Sequence, residues 1–293
     1  MRPNRRSTDV TAIRRITLRL AVAVACCVAP ADAIAQADSG IVLRLNVPAY
    51  RLDVVDQGHV AQSWRVAVGM RAYPTPTGDF AIRTITWNPW WRPPRSEWAK
   101  DDTVTPPGPA NPVGKVKLHF DRAVFLHGTP DARSIGHAAS HACVRLRHAQ
   151  AVALARLLQD RDGSAPPDTM MDSLLSAWSP TVDVTLRSPV PLVITYDIAE
   201  VRDTMLVVYR DIYRRHPGGR VGPALVALAG AGIDTTGAVR AAVDRQLRRA
   251  GTAPVRMPLR AFASSTTPRP RADNPAGGLS GYASRRVAES ATP

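Results

Sequence analysis

Between residues 41 and 87 the chain runs through four short stretches of alternating apolar and polar side chains: IVLRLNV, YRLDVV, VAQSWRVAVG and FAIRTITW. They are separated by turn sequences such as Asp56-Gln57-Gly58 and YPTPTG. A period of two sends successive side chains to opposite faces, so each stretch has one face to bury. Short strands recurring about every 8 to 12 residues, with no helix between them, predict a sandwich or barrel rather than βαβ units. KVKLHF and AVFLH read as two further strands, the second delivering His127 at its end. HAQAVALARLLQD, residues 148–160, carries Val152, Leu154, Leu157 and Leu158 at helical spacing and is the one clear core helix. A short helix from Asp168, strands TVDVTL and VPLVITY, and a hairpin strand or helix start in VRDTMLVVYRDIYRR follow. The expected fold class is mainly β (α+β).

The strands are interrupted by NPWWRPPRSEWAKDDTVTPPGPANP, which holds three Trp. Proline denies this segment helix and ladder hydrogen bonds, and a loop of such length is unusual unless it is functional. Its Trp side chains are either packing or the wall of a substrate site.

The termini have a different character. A basic segment, MRPNRRSTDVTAIRR, leads into the apolar run ITLRLAVAVACCVAPA and an Ala-x-Ala at Ala35 to Ala37, the order of a signal peptide. Residues 1–37 are therefore expected to be a signal peptide or N-terminal anchor, which makes the protein exported, to the periplasm or cell envelope. Residues 38–215 are expected to form the main folded domain and 216–250 an Ala/Gly-rich helical extension, with an amphipathic helix in GAVRAAVDRQLRRAG. Residues 251–293 are Pro/Ser/Arg-rich and poor in large apolar groups, so they are expected to be a disordered tail whose deletion leaves the melting temperature unchanged.

Export gives the cysteine count its meaning. Of Cys26, Cys27 and Cys143, the first two lie in the signal segment, so cleavage leaves one thiol. In an oxidising compartment a leftover cysteine points to a reactive thiol or to intermolecular pairing rather than a disulfide framework. The net charge is +14, and about +10 remains without residues 1–37. That charge, nearly all Arg, suits an anionic envelope, and no Lys/Arg run interleaved with aromatics marks a nucleic-acid partner.

The chemistry gathers around FLHGTPDARSIGHAASHACVRL. A thiol attacks as thiolate, a neighbouring imidazole can take its proton, and backbone N–H groups in the turn His141-Ala142-Cys143 can receive an oxyanion. HGTPDARSIGHAASHACVRL resembles the signature of the L,D-transpeptidases with a YkuD-like catalytic domain. VGMRAYPTPTGDFAI, PPGPANPVG and VPLVITYDIAEVRDTMLVVYRDIY are similar to further regions of that family, so the resemblance covers roughly residues 41–213. It implies a β-sandwich or barrel-like fold, Cys143 as nucleophile and His127 as general base. It also implies that the Gly128 carbonyl orients the imidazole, that the His141 backbone serves the oxyanion hole, and that Ser140 and Arg145 contact substrate. Arg145 could equally brace the loop through an ion pair. Ala142 departs from the family, which has Gly there. If that position needs a positive φ, the methyl group strains it or obstructs the oxyanion hole.

The implied reaction is acyl transfer from a peptidoglycan tetrapeptide stem through a thioester. The acceptor is an amine of another stem peptide or of an outer-membrane protein; the enzyme acts as a monomer with no cofactor and no metal. Water as acceptor would make an L,D-carboxypeptidase, and an impaired site would leave a peptidoglycan-binding protein. A metal site built on His137, His141, His127, His148 and Cys143 is disfavoured. The i, i+4 pair needs a helix that Gly136 and the Ala-Ala-Ser run do not make.

Overall fold

The computed structural model describes residues 40–263. The signal segment and the part of the expected tail beyond residue 263 lie outside the described residues. Nine strands and two helices make the first core. They are β1 (Ile41–Asn46), β2 (Arg51–Asp56), β3 (His59–Arg65), β4 (Val68–Gly69), β5 (Gly78–Trp87), β6 (Val116–His119), β7 (Phe125–Thr129), β8 (Ala138–Ser140), β9 (Val144–Arg147), α1 (His148–Asp162) and α2 (Asp168–Ser176), completed by the long strand β10 (Val182–Thr195). Eight strands form one sheet in the order β3-β2-β1-β10-β5-β6-β7-β9. Its neighbours are antiparallel except for β1 with β10 and β7 with β9. Beyond the β3 edge the chain turns back, and Ala67 and Arg145 exchange two backbone hydrogen bonds of 2.9 Å, which nearly closes the sheet into a barrel. The fold is mainly β, as the alternation predicts.

The periodicity explains which face is buried. Ile41, Leu43 and Leu45 of β1 point inward with no more than 1% exposure. They meet Leu52, Val54, Ile82, Ile85, Trp87, Leu118 and Leu126 in one core. α1 lays Ala151, Leu154, Ala155 and Leu158 onto it. Each buried Leu, Ile or Val contributes about 1.5–3 kcal/mol through burial, and each Ala methyl about 0.8 kcal/mol. Gly163, at φ 68, ends α1 in the left-handed conformation that glycine adopts freely. TVDVTL and VPLVITY, expected as two strands, are one strand, β10, with an irregularity between Thr185 and Val190. VAQSWRVAVG, expected as one strand, divides into β3 and β4 so that Ala67 can reach β9.

The C-terminal region corrects the expected boundaries. β11 (Ala199–Arg202) and β12 (Met205–Val208) form the hairpin read from VRDTMLVV, and β13 (Val255–Pro258) pairs antiparallel with β12. α3 (Val221–Gly230), α4 (Gly237–Ala250) and the short α5 (Arg260–Ala263) pack on this sheet. Leu206, Val208, Leu228, Val243, Met257 and Phe262 build a second core. Residues 255–263 are thus ordered structure, not disordered tail, because Val255 and Met257 alternate inward and Phe262 closes the core at 4% exposure. The break expected at residue 215 is also displaced, since this core already begins at β11. Arg51 of β2 ties it to the barrel through Glu200, at 2.5 and 2.9 Å, and Arg202 reaches Asp53 at 3.0 Å.

No helix among the described residues is long and apolar enough to cross a membrane.

Candidate active site

Strand register places the catalytic candidates. β7 and β9 run parallel with Leu126 opposite Val144 and His127 opposite Arg145. Cys143 stands two residues before Arg145, so alternation sends its side chain to the face that carries His127, one diagonal step away. Both line a cavity of about 630 Å³ together with Arg145, His141 and Ser140. His127 lies in the middle of β7 rather than at its end, and only 4% of it is exposed. Its Nδ1 lies 2.7 Å from the Gly128 carbonyl oxygen. A carbonyl only accepts, so Nδ1 carries the proton and Nε2 is left with a lone pair. Gly128 itself is required by crowding, since a Cβ there would stand 2.6 Å from His148 Nδ1.

Burial keeps both partners neutral. It drives the His127 pKa down to about 3, against the Gly128 hydrogen bond, and the charges of Arg145 and Lys117 deepen the drop. Burial also raises the Cys143 thiol above its ordinary value, an effect tempered by the Phe125 backbone and by Arg145 and Lys117. The thiol is free and half-buried, 3.9 Å from the Ala123 carbonyl. An uncharged thiol beside an uncharged imidazole is therefore the resting state.

The turn before β9 is braced from several sides. The Ser140 hydroxyl donates to the Cys143 carbonyl, and the residue is 1% exposed. Its hydroxyl proton is thus committed to the turn, while the residue still lines the cavity. Thr75 Oγ1 accepts from the Gly69 N–H and donates to the Ala142 carbonyl, each at 2.8 Å. The Tyr213 hydroxyl in turn donates to the Gly69 carbonyl at 2.7 Å and accepts from the Thr75 N–H at 3.0 Å. The backbone N–H groups of His141, Ala142 and Cys143 find no acceptor among the described residues. Arg145 makes no ion pair among them either, so no salt bridge braces the loop through this residue.

Ala142 has φ 77, the left-handed region that favours glycine. The methyl group is therefore strained by roughly 1 kcal/mol. Ala142→Gly is expected to hold or raise the acylation rate. A collapse in rate, followed by mass spectrometry of the acylated protein, would show that the methyl group does not burden the turn.

The Trp-rich loop walls the cavity rather than merely filling space. The Trp98 ring stacks on His141 at 3.8 Å and 5°, while Tyr73 packs against the same imidazole at 4.7 Å. Trp91 pairs its backbone with Thr105. Asn111, fully buried, donates through Nδ2 to the carbonyls of Pro89, Thr105 and Pro106, which holds the loop in place of ladder bonds. His137 is exposed and lines a different cavity from His141, with strand β8 between them, so these two do not converge on a metal.

Residues 41–184 match the model of the YkuD L,D-transpeptidase catalytic domain. Solved structures that match include an L,D-transpeptidase from Mycobacterium smegmatis, 14% identical over 53% of this chain and 58% of that one, with a TM-score of 0.33. Another is from Mycobacterium tuberculosis, 15% identical over 53% and 57%, with a TM-score of 0.33. A third is from Stackebrandtia nassauensis, 21% identical over 40% and 50%, with a TM-score of 0.29. The chain thus spans less than two thirds of the length of each of these relatives. No curated protein matches it. Through residues 41–184, which carry the thiol, the imidazole and the strained turn between β8 and β9, the chain belongs to the L,D-transpeptidase catalytic domain family.

Proposed function

We propose that this chain is an exported peptidoglycan L,D-transpeptidase that uses Cys143 as nucleophile and His127 as general base. The observation that carries the reading is the tautomer: Nδ1 is held by the Gly128 carbonyl, so Nε2 can accept a proton on the face where the free thiol stands. Cys143 Sγ attacks the carbonyl between the third stem residue and the terminal D-alanine, and its proton passes to Nε2. The N–H groups of the turn, which find no acceptor among the described residues, receive the oxyanion. The C–N bond then breaks, the imidazolium protonates the departing amine, and a thioester remains. An acceptor amine gives its proton to the same Nε2 as it attacks, and the thiol leaves reprotonated. Arg145, which lines the same cavity and makes no ion pair among the described residues, holds a substrate carboxylate.

Incubation with a purified disaccharide-tetrapeptide tests this. Release of D-alanine together with a cross-linked dimer is the expected result. A tripeptide product without dimer would assign hydrolysis instead, and no product would overturn the reading.

The neutral resting pair fixes the pH dependence. In the free enzyme His127 stays unprotonated down to about pH 3. The acid limb of kcat/KM is therefore expected below about pH 5, whereas a limb centred at the ordinary imidazole value would contradict the assignment.

A further inference from the structure

Two cavities flank Cys143. The first holds His127 and Arg145. The second, about 540 Å³, shares Cys143, His141, Trp91, Trp98 and Phe125 with it but is lined on its own side by Lys117, His119 and Asp183. One row of register partners crosses five strands: Asp183 faces Thr86, Thr86 faces Lys117, Lys117 faces His127, and His127 faces Arg145. In-register partners share a face, so all five side chains belong to the active-site surface. If His127 is the base proposed above, the departing amine and the incoming amine both exchange a proton with it and both occupy the first cavity. The acyl residue must then extend into the second.

That second cavity holds charges the mechanism does not use. Lys117 makes no ion pair among the described residues, although the charge of Asp183 acts on it. One oxygen of Asp183 accepts the Thr86 hydroxyl at 2.5 Å, and Thr86 Oγ1 lies 2.9 Å from His119 Nε2. Because the hydroxyl proton is spent on Asp183, His119 is the donor to Thr86. Thr86 is 6% exposed, so this relay aims the carboxylate from within the sheet and leaves its other oxygen to the cavity. Lys117 and Asp183 stand two strands apart, about 10 Å between backbones, a gap that a small doubly charged group can bridge.

We propose that Lys117 and Asp183 select the acyl donor by reading the end of its side chain, where an ammonium and a carboxylate sit on one carbon. The carboxylate pairs with Lys117 and the ammonium with Asp183. Arg92 and Arg122 at the exposed rim add attraction for anions and make no ion pair among the described residues.

The test compares kcat/KM for D-alanine release from tetrapeptide donors whose third residue is diaminopimelate, its side-chain carboxamide, or its side-chain N-acetyl derivative. The full chain is expected to prefer the free carboxylate over the carboxamide by about tenfold or more. Lys117→Met is expected to collapse that ratio toward one and Lys117→Arg to keep most of it. Asp183→Asn should erase the preference for a free over an acetylated side-chain amine. Any general effect of Lys117 on the thiol is common to both donors and cancels in the ratio. A ratio unchanged by Lys117→Met, or donors used equally by the unaltered chain, would overturn the proposal while D-alanine release kept the catalytic reading intact. A chain that released no D-alanine and took no carbapenem on Cys143 would overturn both.

Discussion

Replacing Cys143 with alanine is expected to abolish D-alanine release and cross-linking, with a fall of at least about 10⁴-fold, the scale on which nucleophile loss is felt in covalent catalysis. The unfolding temperature should barely move. The Cys143 side chain is half-buried at a cavity wall, and its removal takes away a long 3.9 Å contact to the Ala123 carbonyl and a contact with the Phe125 backbone. The turn keeps its shape without the sulfur because Ser140 holds the Cys143 carbonyl, a backbone group that alanine retains. Activity that survived in a folded Cys143→Ala protein would refute the nucleophile assignment. Activity lost together with the fold would instead mean that the thiol is a structural group.

The second large effect concerns stability. Truncation after residue 250 removes β13, Met257 and Phe262, leaving Leu206 and Val208 of β12 without their partner strand and exposing part of the second core. It also removes the carbonyls of Gly251 and Ala253 that accept from the Arg220 guanidinium. Loss of a buried Met and a buried Phe costs on the order of 5 kcal/mol, about 10 °C or more in a chain of this size. A truncated protein with an unchanged Tm would show that β13 does not hold this core together. Phe262→Ala separates packing from strand pairing, because it keeps the backbone of β13 and should give roughly 3 kcal/mol of the loss.

Local pattern and nonlocal register divided what could be read in the chain. Strands β1, β2 and β5 are plain from alternation, and α1 and α4 from helical spacing, because each buries one face and that face is written in the side chains. His127 and Cys143 are legible from their motifs and Gly128 from its place after the histidine. β13 was hidden because VRMP is four residues long in a Pro/Arg-rich context, and its strand character comes only from pairing with β12, about fifty residues earlier. The same holds for Thr75 and Tyr213, whose contacts span 67 and 144 residues of sequence. Lys117 and Asp183 join the site through strand register, which no local stretch reveals. Ala142 is the instructive case. The sequence predicts that a positive φ would strain the residue, and the value of 77° supplies the missing condition.

Time-resolved intact mass, with peptide mapping, of the chain mixed with a tetrapeptide donor and no amine acceptor tests the central claim most directly. One acyl group should appear on the peptide containing Cys143 as D-alanine is released, and His127→Ala should slow its appearance by at least about 10²-fold. An acyl group on any other residue, or a rate unaffected by the loss of the imidazole, would contradict the account.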